Sequence, residues 1–318
     1  MSSVVPTLKL NNGYKIPAFG LGTYKPIEGV EESVKHAIDC NYRHIDTAYF
    51  YGNEIEIGNA VRAKIEEKGI NREDMFIVSK LWSIFHEPDK VEYGCRMSLN
   101  KLNLEYIDLY LIHFPVSLAY VSDTELWPSD EKGIISDSVS FSIRDDIDVL
   151  DTYKAMEKLV EKGIVRSIGV SNFNIEQITR ILEGCTIKPV VNQIEFSPGV
   201  NQKKLIEFCK DHDIVVVAYT PLGRPNLQTK TPDFIFDESV IAIGNKYKKT
   251  SAQVALRYLT QCGAIPIPRS QSKERIQENI SIFDFELTPA EMTVLDQFQK
   301  DRSDFIDVQK LKEFSTQY

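Results

Sequence analysis

A regular alternation along the chain is the feature that most constrains its fold. Short β-rich runs recur with segments of helical pattern between them. Eight runs are predicted as strands, at residues 43–47, 75–81, 106–113, 165–171, 190–195, 214–219, 264–268 and 280–285. Strands that alternate with helices pair in parallel, and eight of them can close into a barrel. The alternation therefore predicts an α/β fold of the (β/α)8 TIM barrel type.

The segments between the strands carry amphipathic helical patterns. Apolar residues share one helix face at Val30, Val34, Ala37 and Ile38, at Ile57, Val61 and Ile65, and at Val149, Tyr153, Met156 and Val160. Two helix starts have the spacing of capping boxes, Thr250 with Gln253 and Thr288 with Glu291, and Pro289 takes the favoured first helical position. We expect each helix to lay its apolar stripe on the barrel.

Features outside the alternation complete the predicted architecture. Residues 7–10 and 14–16 flank an Asn-Asn-Gly turn, which predicts an N-terminal β-hairpin that plugs the barrel floor. Residues 116–146 and 224–237 are long loops that follow predicted strands, where barrel loops line the active-site mouth. The tail, residues 301–318, is similarly irregular. With no low-complexity linker, residues 1–318 are predicted to form a single domain.

Composition excludes several classes of protein. The 5 cysteines are scattered without paired spacing, so neither a zinc site nor a disulfide framework is expected, and no metal is predicted. No run is apolar for long enough to cross a bilayer, and a formal charge of -9 disfavours nucleic acid and anionic membranes. The N-terminus lacks signal-peptide features, which predicts a cytoplasmic location. We expect a monomer whose partner is a small molecule.

Polar residues at the ends of three predicted strands form a candidate catalytic set. Asp46, Lys80 and His113 occupy these ends, and Tyr51 lies in the turn after Asp46. Singly, such residues are more often structural, but four in order at one barrel mouth favour catalysis. A lysine ammonium about 4 Å from a phenol is worth roughly 4 kcal/mol, enough to move the Tyr51 pKa from about 10 towards about 7. Asp46 would keep Lys80 charged, and neutral His113 would orient a carbonyl.

Three motifs resemble the signatures of the aldo-keto reductases. They are YRHIDTA at 42–48 followed by Glu54 and Gly58, GVSNF at 169–173, and IPRS at 267–270 followed by Arg275, Glu278 and Asn279. The likeness extends to about Glu286 and is greatest to the aldose and xylose reductase branch, including insect members. It implies NADPH-dependent reduction of aldehyde or ketone carbonyls to alcohols by hydride transfer. It also implies that Asp46, Tyr51, Lys80 and His113 form the catalytic tetrad, with Tyr51 as general acid.

The resemblance further implies where NADPH and the substrate bind. The implied cofactor residues are Thr23, Asp46, Ser171, Asn172, Gln193, Tyr219, Thr220, Leu222, Arg269, Ser270, Arg275, Glu278 and Asn279. Among them, Arg269, Ser270 and Arg275 would hold the 2'-phosphate, although Arg269 stands where that branch commonly has lysine. The implied substrate residues are Tyr24, Tyr49, Trp82, His113 and Phe114, an apolar and aromatic set in which Tyr24 and Phe114 replace tryptophans common in aldose reductases.

Three other functions remain open at this point. The insect-like resemblance admits a steroid ketone such as 3-dehydroecdysone as substrate. Lys80 could instead act as a Schiff-base nucleophile in an aldolase-like barrel, although the Asp46 carboxylate would suppress the free amine that this requires. A non-catalytic nucleotide-binding protein on the same fold is the third possibility, and the intact tetrad argues against it.

Overall fold

The computed structural model describes residues 5–24, 27–126 and 142–300. Its strands are β1 (Thr7–Lys9), β2 (Lys15–Pro17), β3 (Leu21–Gly22), β4 (His44–Asp46), β5 (Phe76–Leu81), β6 (Leu109–Ile112), β7 (Ile168–Ser171), β8 (Val191–Glu195), β9 (Val215–Tyr219) and β10 (Ala264–Pro266). The strands β3 to β10 form one eight-stranded parallel sheet in chain order, and β1 pairs antiparallel with β2. The sheet thus has the strand order of a (β/α)8 barrel.

The helices lie between and after these strands. They are α1 (Val30–Asp39), α2 (Glu54–Lys68), α3 (Val91–Leu102), α4 (Val149–Glu161), α5 (Ile175–Gly184), α6 (Lys203–Asp211), α7 (Asp233–Phe236), α8 (Glu238–Tyr247), α9 (Ser251–Gln261), α10 (Lys273–Ile280) and α11 (Pro289–Asp296). Both predicted capping boxes are present, at the starts of α9 and α11. The stripe of α1 is fully in the core, which confirms the predicted helix faces there.

Backbone hydrogen bonds close the sheet into a barrel. The amide of Gly20 donates to the Pro266 carbonyl at 3.1 Å, and the amide of Gly22 donates to the Pro268 carbonyl at 3.2 Å. The two chain segments approach so closely that a Cβ on Gly22 would lie 2.6 Å from the carbonyl oxygen of Ile267. Only glycine leaves room for this seam, which confirms the predicted closed barrel.

The predicted strand at residues 280–285 is wrong. Ile280 ends α10, and the residues after it form a turn rather than a strand. Their apolar side chains satisfy the hydrophobic pattern in another way, since Ile282 is fully buried and Phe283 and Phe285 pack on the core from outside the sheet. The eighth barrel strand is β3, whose two residues are too few to show an alternating pattern.

The N-terminal hairpin seals the barrel floor, as predicted. Leu10 and Ile16 are 1% and 0% exposed, within a cluster of residues that face the barrel interior from β5, β6, β8, β9 and β10. At the turn, Asn11 Nδ2 donates to the carbonyls of Pro189 and Asp213, at 2.9 and 3.2 Å. Chemistry is therefore confined to the opposite end, where the carboxyl ends of the strands open.

The described parts of the two long predicted loops lie at that open end. Residues 224–237 contain the short helix α7, and residues 116–126 are joined to the segment from residue 142 by a bridge between Leu118 and Ile143. The rest of the first loop, residues 127–141, and the tail at 301–318 lie outside the described residues. All 5 cysteines are free thiols. Among the described residues, none of the helices combines the length and apolarity that a bilayer crossing requires.

Candidate active site

Side chains at and after the ends of three successive strands, β4, β5 and β6, lie around the ammonium group of Lys80. Lys80 Nζ, near the end of β5, donates to Asp46 Oδ1 at 2.6 Å, to the Thr47 carbonyl at 2.9 Å and to the Tyr51 hydroxyl at 3.2 Å. Lys80 and Asp46 are 0% and 1% exposed, whereas Tyr51 is only partly buried. His113 follows β6, and its ring lies 5.6 Å from that of Tyr51. The structure thus brings the predicted tetrad together.

The buried Asp46 carboxylate is fully engaged. One oxygen accepts from Lys80, and the other accepts from Gln193 Nε2 at 2.7 Å. A buried ion pair is retained at low cost only when further hydrogen bonds satisfy its remaining lone pairs. Gln193 provides that bond from β8, across the barrel, and so fixes the orientation of Asp46 and hence of Lys80.

Burial is the main influence on the protonation of Tyr51 and Lys80. Burial raises the pKa of Tyr51 well above its usual value, and the Asp46 carboxylate raises it further. This direction is opposite to the acidic shift of Tyr51 expected from the sequence, because burial is the largest effect on the phenol. The phenol is protonated at neutral pH, which is the form that a proton donor needs. Burial also lowers the pKa of Lys80, and Asp46 opposes that effect.

Burial favours the neutral form of the His113 imidazole. Burial lowers its pKa well below the usual value, and the Lys80 ammonium adds to that effect. Its Nδ1 atom is buried without a hydrogen-bond partner among the described residues. A neutral ring can donate one N–H to a carbonyl oxygen and adds no competing charge beside Lys80. The direction of this shift favours the neutral His113 that the sequence predicts.

Aromatic rings surround the Tyr51 hydroxyl. The Tyr24 ring lies 5.0 Å from that of Tyr51, and Trp82 and Phe114 lie 5.2 and 5.0 Å from the His113 ring. Phe50, which the sequence did not single out, stacks on Trp82 at 4.1 Å. Its position in the turn beside Tyr51 was the available signal. The wall of the site is therefore apolar.

Tyr49, predicted to contact substrate, is placed differently. Its ring packs edge-on against Phe85 at 5.2 Å, and Lys101 Nζ lies 3.7 Å from its centre. Its hydroxyl donates to the Asp123 carbonyl at 2.9 Å, and only 4% of the residue is exposed. Tyr49 thus anchors the loop after β6 and does not join the rings around Tyr51.

A second group of predicted residues lies on neighbouring strand ends. Ser171 Oγ donates to the Gln193 carbonyl at 3.0 Å, Asn172 Nδ2 donates to the His113 carbonyl at 2.9 Å, and the Tyr219 hydroxyl donates to Asn172 Oδ1 at 2.7 Å. Asn172 and Thr220 have positive φ angles, 66° and 51°. Left-handed backbone at non-glycine residues is uncommon and concentrates at binding sites.

The remaining predicted residues lie further along the same face. A narrow cleft is lined by Thr23, Arg269 and Ser270 together with Leu21, Gly22, Val30, Ser33 and Gln271. Arg269, Arg275 and Glu278 are exposed, Asn279 is buried on α10, and Leu222 is partly buried against the core. Neither Arg269 nor Arg275 forms a salt bridge with a described carboxylate. Two exposed guanidinium groups thus flank the start of α10.

Comparison with known proteins identifies the family. Residues 17–300 match the aldo/keto reductase family. The chain belongs to this family. A rat aldo-keto reductase, family 1 member C18, is 44% identical over 310 residues, which cover 94% of this chain and 93% of the rat protein.

Two solved structures of aldo-keto reductases share the fold. An aldose reductase from Schistosoma japonicum is 40% identical with a TM-score of 0.87, covering 98% of this chain and 100% of that one. A Bombyx mori aldo-keto reductase, in complex with NADP, is 38% identical with a TM-score of 0.86, covering 98% of each chain. The predicted class, an oxidoreductase of the aldo-keto reductase family with NADP(H) as its cofactor, is confirmed at the level of the family.

The residues of this aldo-keto reductase suit NADP(H). Ser171, Asn172 and Gln193 offer hydroxyl and amide groups beside the tetrad, which are the partners that a carboxamide requires. The exposed Arg269 and Arg275 offer guanidinium forks that match a phosphate, and they flank the N-terminus of α10, where the helix dipole favours an anion. The site therefore has donors for both ends of an extended dinucleotide.

Proposed function

We propose that this protein reduces aldehyde or ketone carbonyls to alcohols with NADPH, using Tyr51 as the proton donor. The observation that carries the proposal is the contact of 3.2 Å between the Lys80 ammonium and the Tyr51 hydroxyl. This contact lies among aromatic rings at the carboxyl ends of the strands, which is the catalytic face of barrel enzymes. A protonated phenol beside a fixed cation is suited to a reaction that builds negative charge on a carbonyl oxygen.

Each residue of the proposed tetrad has a separate role in the reaction. When bound, NADPH supplies the hydride that adds to the carbonyl carbon. As the carbon–oxygen π bond breaks, the electron pair moves to the oxygen, and Tyr51 gives that oxygen its proton. Lys80 then stabilises the phenolate, and Asp46 keeps the lysine oriented. Neutral His113 donates to the carbonyl oxygen and sets which face of the substrate meets the hydride. Solvent returns a proton to Tyr51.

The site wall favours a neutral, apolar substrate. Tyr24, Phe50, Trp82 and Phe114 present a continuous set of aromatic rings beside Tyr51 and His113. Aromatic faces bind apolar carbon skeletons, whereas a sugar needs several polar partners for its hydroxyl groups. We therefore place hydrophobic aldehydes and ketones ahead of aldoses, and a steroid ketone such as 3-dehydroecdysone is the alternative substrate within the same chemistry.

Schiff-base chemistry at Lys80 is the less favoured enzyme class. All three N–H bonds of the ammonium point to acceptors, namely Asp46, the Thr47 carbonyl and Tyr51. An amine must lose a proton and expose its lone pair before it can attack a carbonyl. Reductive trapping with borohydride and an apolar ketone should leave no adduct on Lys80, and a trapped adduct would favour the aldolase.

A cofactor-oxidation screen tests the proposal. Purified protein would be given sugars, medium-chain aldehydes, alkenals and steroid ketones, with NADPH and NADH in parallel. We expect NADPH consumption with apolar carbonyls and formation of one alcohol per NADPH. Tight NADPH binding without turnover on any compound would instead favour a non-catalytic nucleotide-binding protein. The monomeric state, the single domain and the cytoplasmic location remain predictions, and sizing chromatography would test the first.

A further inference from the structure

Asn53 follows the turn that carries Tyr51, and its side chain does not cap the helix that it precedes. It is fully buried and occupies the N-cap position of α2, where an asparagine side chain ordinarily accepts a hydrogen bond from a backbone N–H of the first turn. It makes no such bond. Its amide turns into the barrel, where Nδ2 donates to the Thr23 carbonyl at 2.7 Å and Oδ1 accepts from Thr47 Oγ1 at 2.9 Å.

Both partners of Asn53 touch the tetrad. The Thr47 carbonyl accepts from Lys80 Nζ at 2.9 Å. The Thr23 hydroxyl donates to the Asp46 carbonyl at 2.9 Å, and the Thr23 amide donates to the same oxygen at 3.1 Å. One buried amide thus ties the segments that follow β3 and β4 to each other, next to the residue whose carbonyl binds Lys80.

We propose that Asn53 is a positioning residue, which holds the Thr47 carbonyl where it binds the Lys80 ammonium beside Tyr51. This inference rests on the proposed reductase function. Removing the Asn53 amide would leave the Thr47 hydroxyl and the Thr23 carbonyl unpaired in a buried region. The Thr47 peptide would lose a restraint, and Lys80 would lose a well-placed acceptor for one of its three protons.

A change in the pKa of Lys80 would show that the Thr47 carbonyl has moved. The charged or titratable groups that face Lys80 are Asp46 from β4, Tyr51 from the turn, Glu54 from α2, His113 after β6 and His44 from β4. Asp46 is held separately, since Gln193 binds its second oxygen at 2.7 Å. Loss of a carbonyl acceptor destabilises the ammonium form, so the Lys80 pKa should fall when Asn53 is replaced.

The Asn53→Ser variant tests the proposal, because serine caps a helix as well as asparagine but cannot reach both threonines. We expect kcat to fall about 10- to 100-fold, as for lost supporting hydrogen bonds at other catalytic sites, with little change in the Kd of NADPH. The alkaline limb of the kcat profile should move down by about one pH unit. Asn201→Ser is the matched control, since Asn201 likewise bonds a hydroxyl, that of Tyr258, at 2.9 Å but lies near α6.

Two further measurements keep the test decisive. Thr47→Val removes the hydroxyl that Asn53 holds while keeping the backbone carbonyl, and it should reproduce the loss without adding to that of Asn53→Ser in the double variant. It also replaces Asn53→Ser if that protein does not fold. The Lys80 pKa would be followed directly, by NMR titration of lysine labelled at the ε-carbon, with Lys80→Met to assign the signal.

The outcomes separate this inference from the proposed function. An active parent whose folded Asn53→Ser and Thr47→Val variants keep the same kcat, pH profile and Lys80 titration would overturn the inference. A kcat loss that merely tracks the unfolded fraction would overturn it as well. If no carbonyl is reduced by the parent but the Lys80 pKa falls in both variants, the proposed function fails and the positioning role stands.

Discussion

Replacement of Tyr51 by phenylalanine removes one oxygen atom and leaves the ring in place. That oxygen lies 3.2 Å from Lys80 Nζ, so a full phenolate charge there would be stabilised by about 5 kcal/mol at an effective dielectric of about 20. This energy corresponds to between three and four decades in rate. Because charge develops only in part and general acids contribute about 10²- to 10⁴-fold, we expect the chemical step to slow by about 10³-fold.

The assay is a single turnover of enzyme-bound NADPH with the best carbonyl from the screen. The Kd of NADPH should be nearly unchanged, because the packing of the ring against Tyr24, at 5.0 Å, is retained. Tyr153→Phe is the matched control, since it removes a hydroxyl that donates to the Ile187 carbonyl at 2.9 Å, away from the site. It should leave the turnover rate within a few-fold of the parent. A folded Tyr51→Phe protein that reduces the carbonyl at near-parental rate would refute the role of Tyr51.

Three further predictions concern stability and cofactor choice. Burial lowers the pKa of His44 to about 4 and that of His86 to about 3. Below the usual histidine pKa of about 6.5, the unfolded chain therefore binds more protons than the folded protein. Tm should fall steadily from pH 6.5 towards pH 4. A flat Tm over that range would contradict this. Arg275→Ala should raise the Kd of NADPH about 10- to 100-fold but leave that of NADH nearly constant in a binding titration, and equal losses for both would exclude a phosphate contact. Gly22→Ala should lower the free energy of unfolding in urea by about 1–3 kcal/mol, because its Cβ would lie 2.6 Å from the Ile267 carbonyl oxygen. A variant as stable as the parent would show that the backbone at this position can shift to make room.

Sequence reasoning located the strands that show a pattern. Seven of the predicted strands are present, because each buries enough consecutive β-branched and aromatic residues to stand out, as Phe76–Leu81 does. The strand Leu21–Gly22 lacks that signal, since its pairing comes from backbone atoms and from the absence of a side chain at the seam. The apolar run at 280–285 shows the hydrophobic pattern of a strand, but its backbone does not pair with a neighbouring strand.

Some residues of the candidate site could be predicted from the sequence and others could not. Asp46, Lys80 and His113 were predictable because strand ends of a parallel barrel must meet at one mouth. The direction of the Tyr51 pKa was not, because it depends on how much burial opposes one nearby charge. Asn53 was not predictable either, because its place before α2 is typical of an ordinary helix cap. Its inward turn appears only when the partners on Thr23 and Thr47 are known.

The hairpin that closes the floor also has a consequence for biosynthesis. Asn11 leaves the ribosome before the carbonyls that it binds, which belong to Pro189 and Asp213, 178 and 202 residues later. At about 5–20 residues per second, the turn waits roughly 10–40 s for its partners. During that interval Leu10 and Ile16 have no complete barrel to enter, so the nascent chain carries an apolar segment that strands synthesised later must cover.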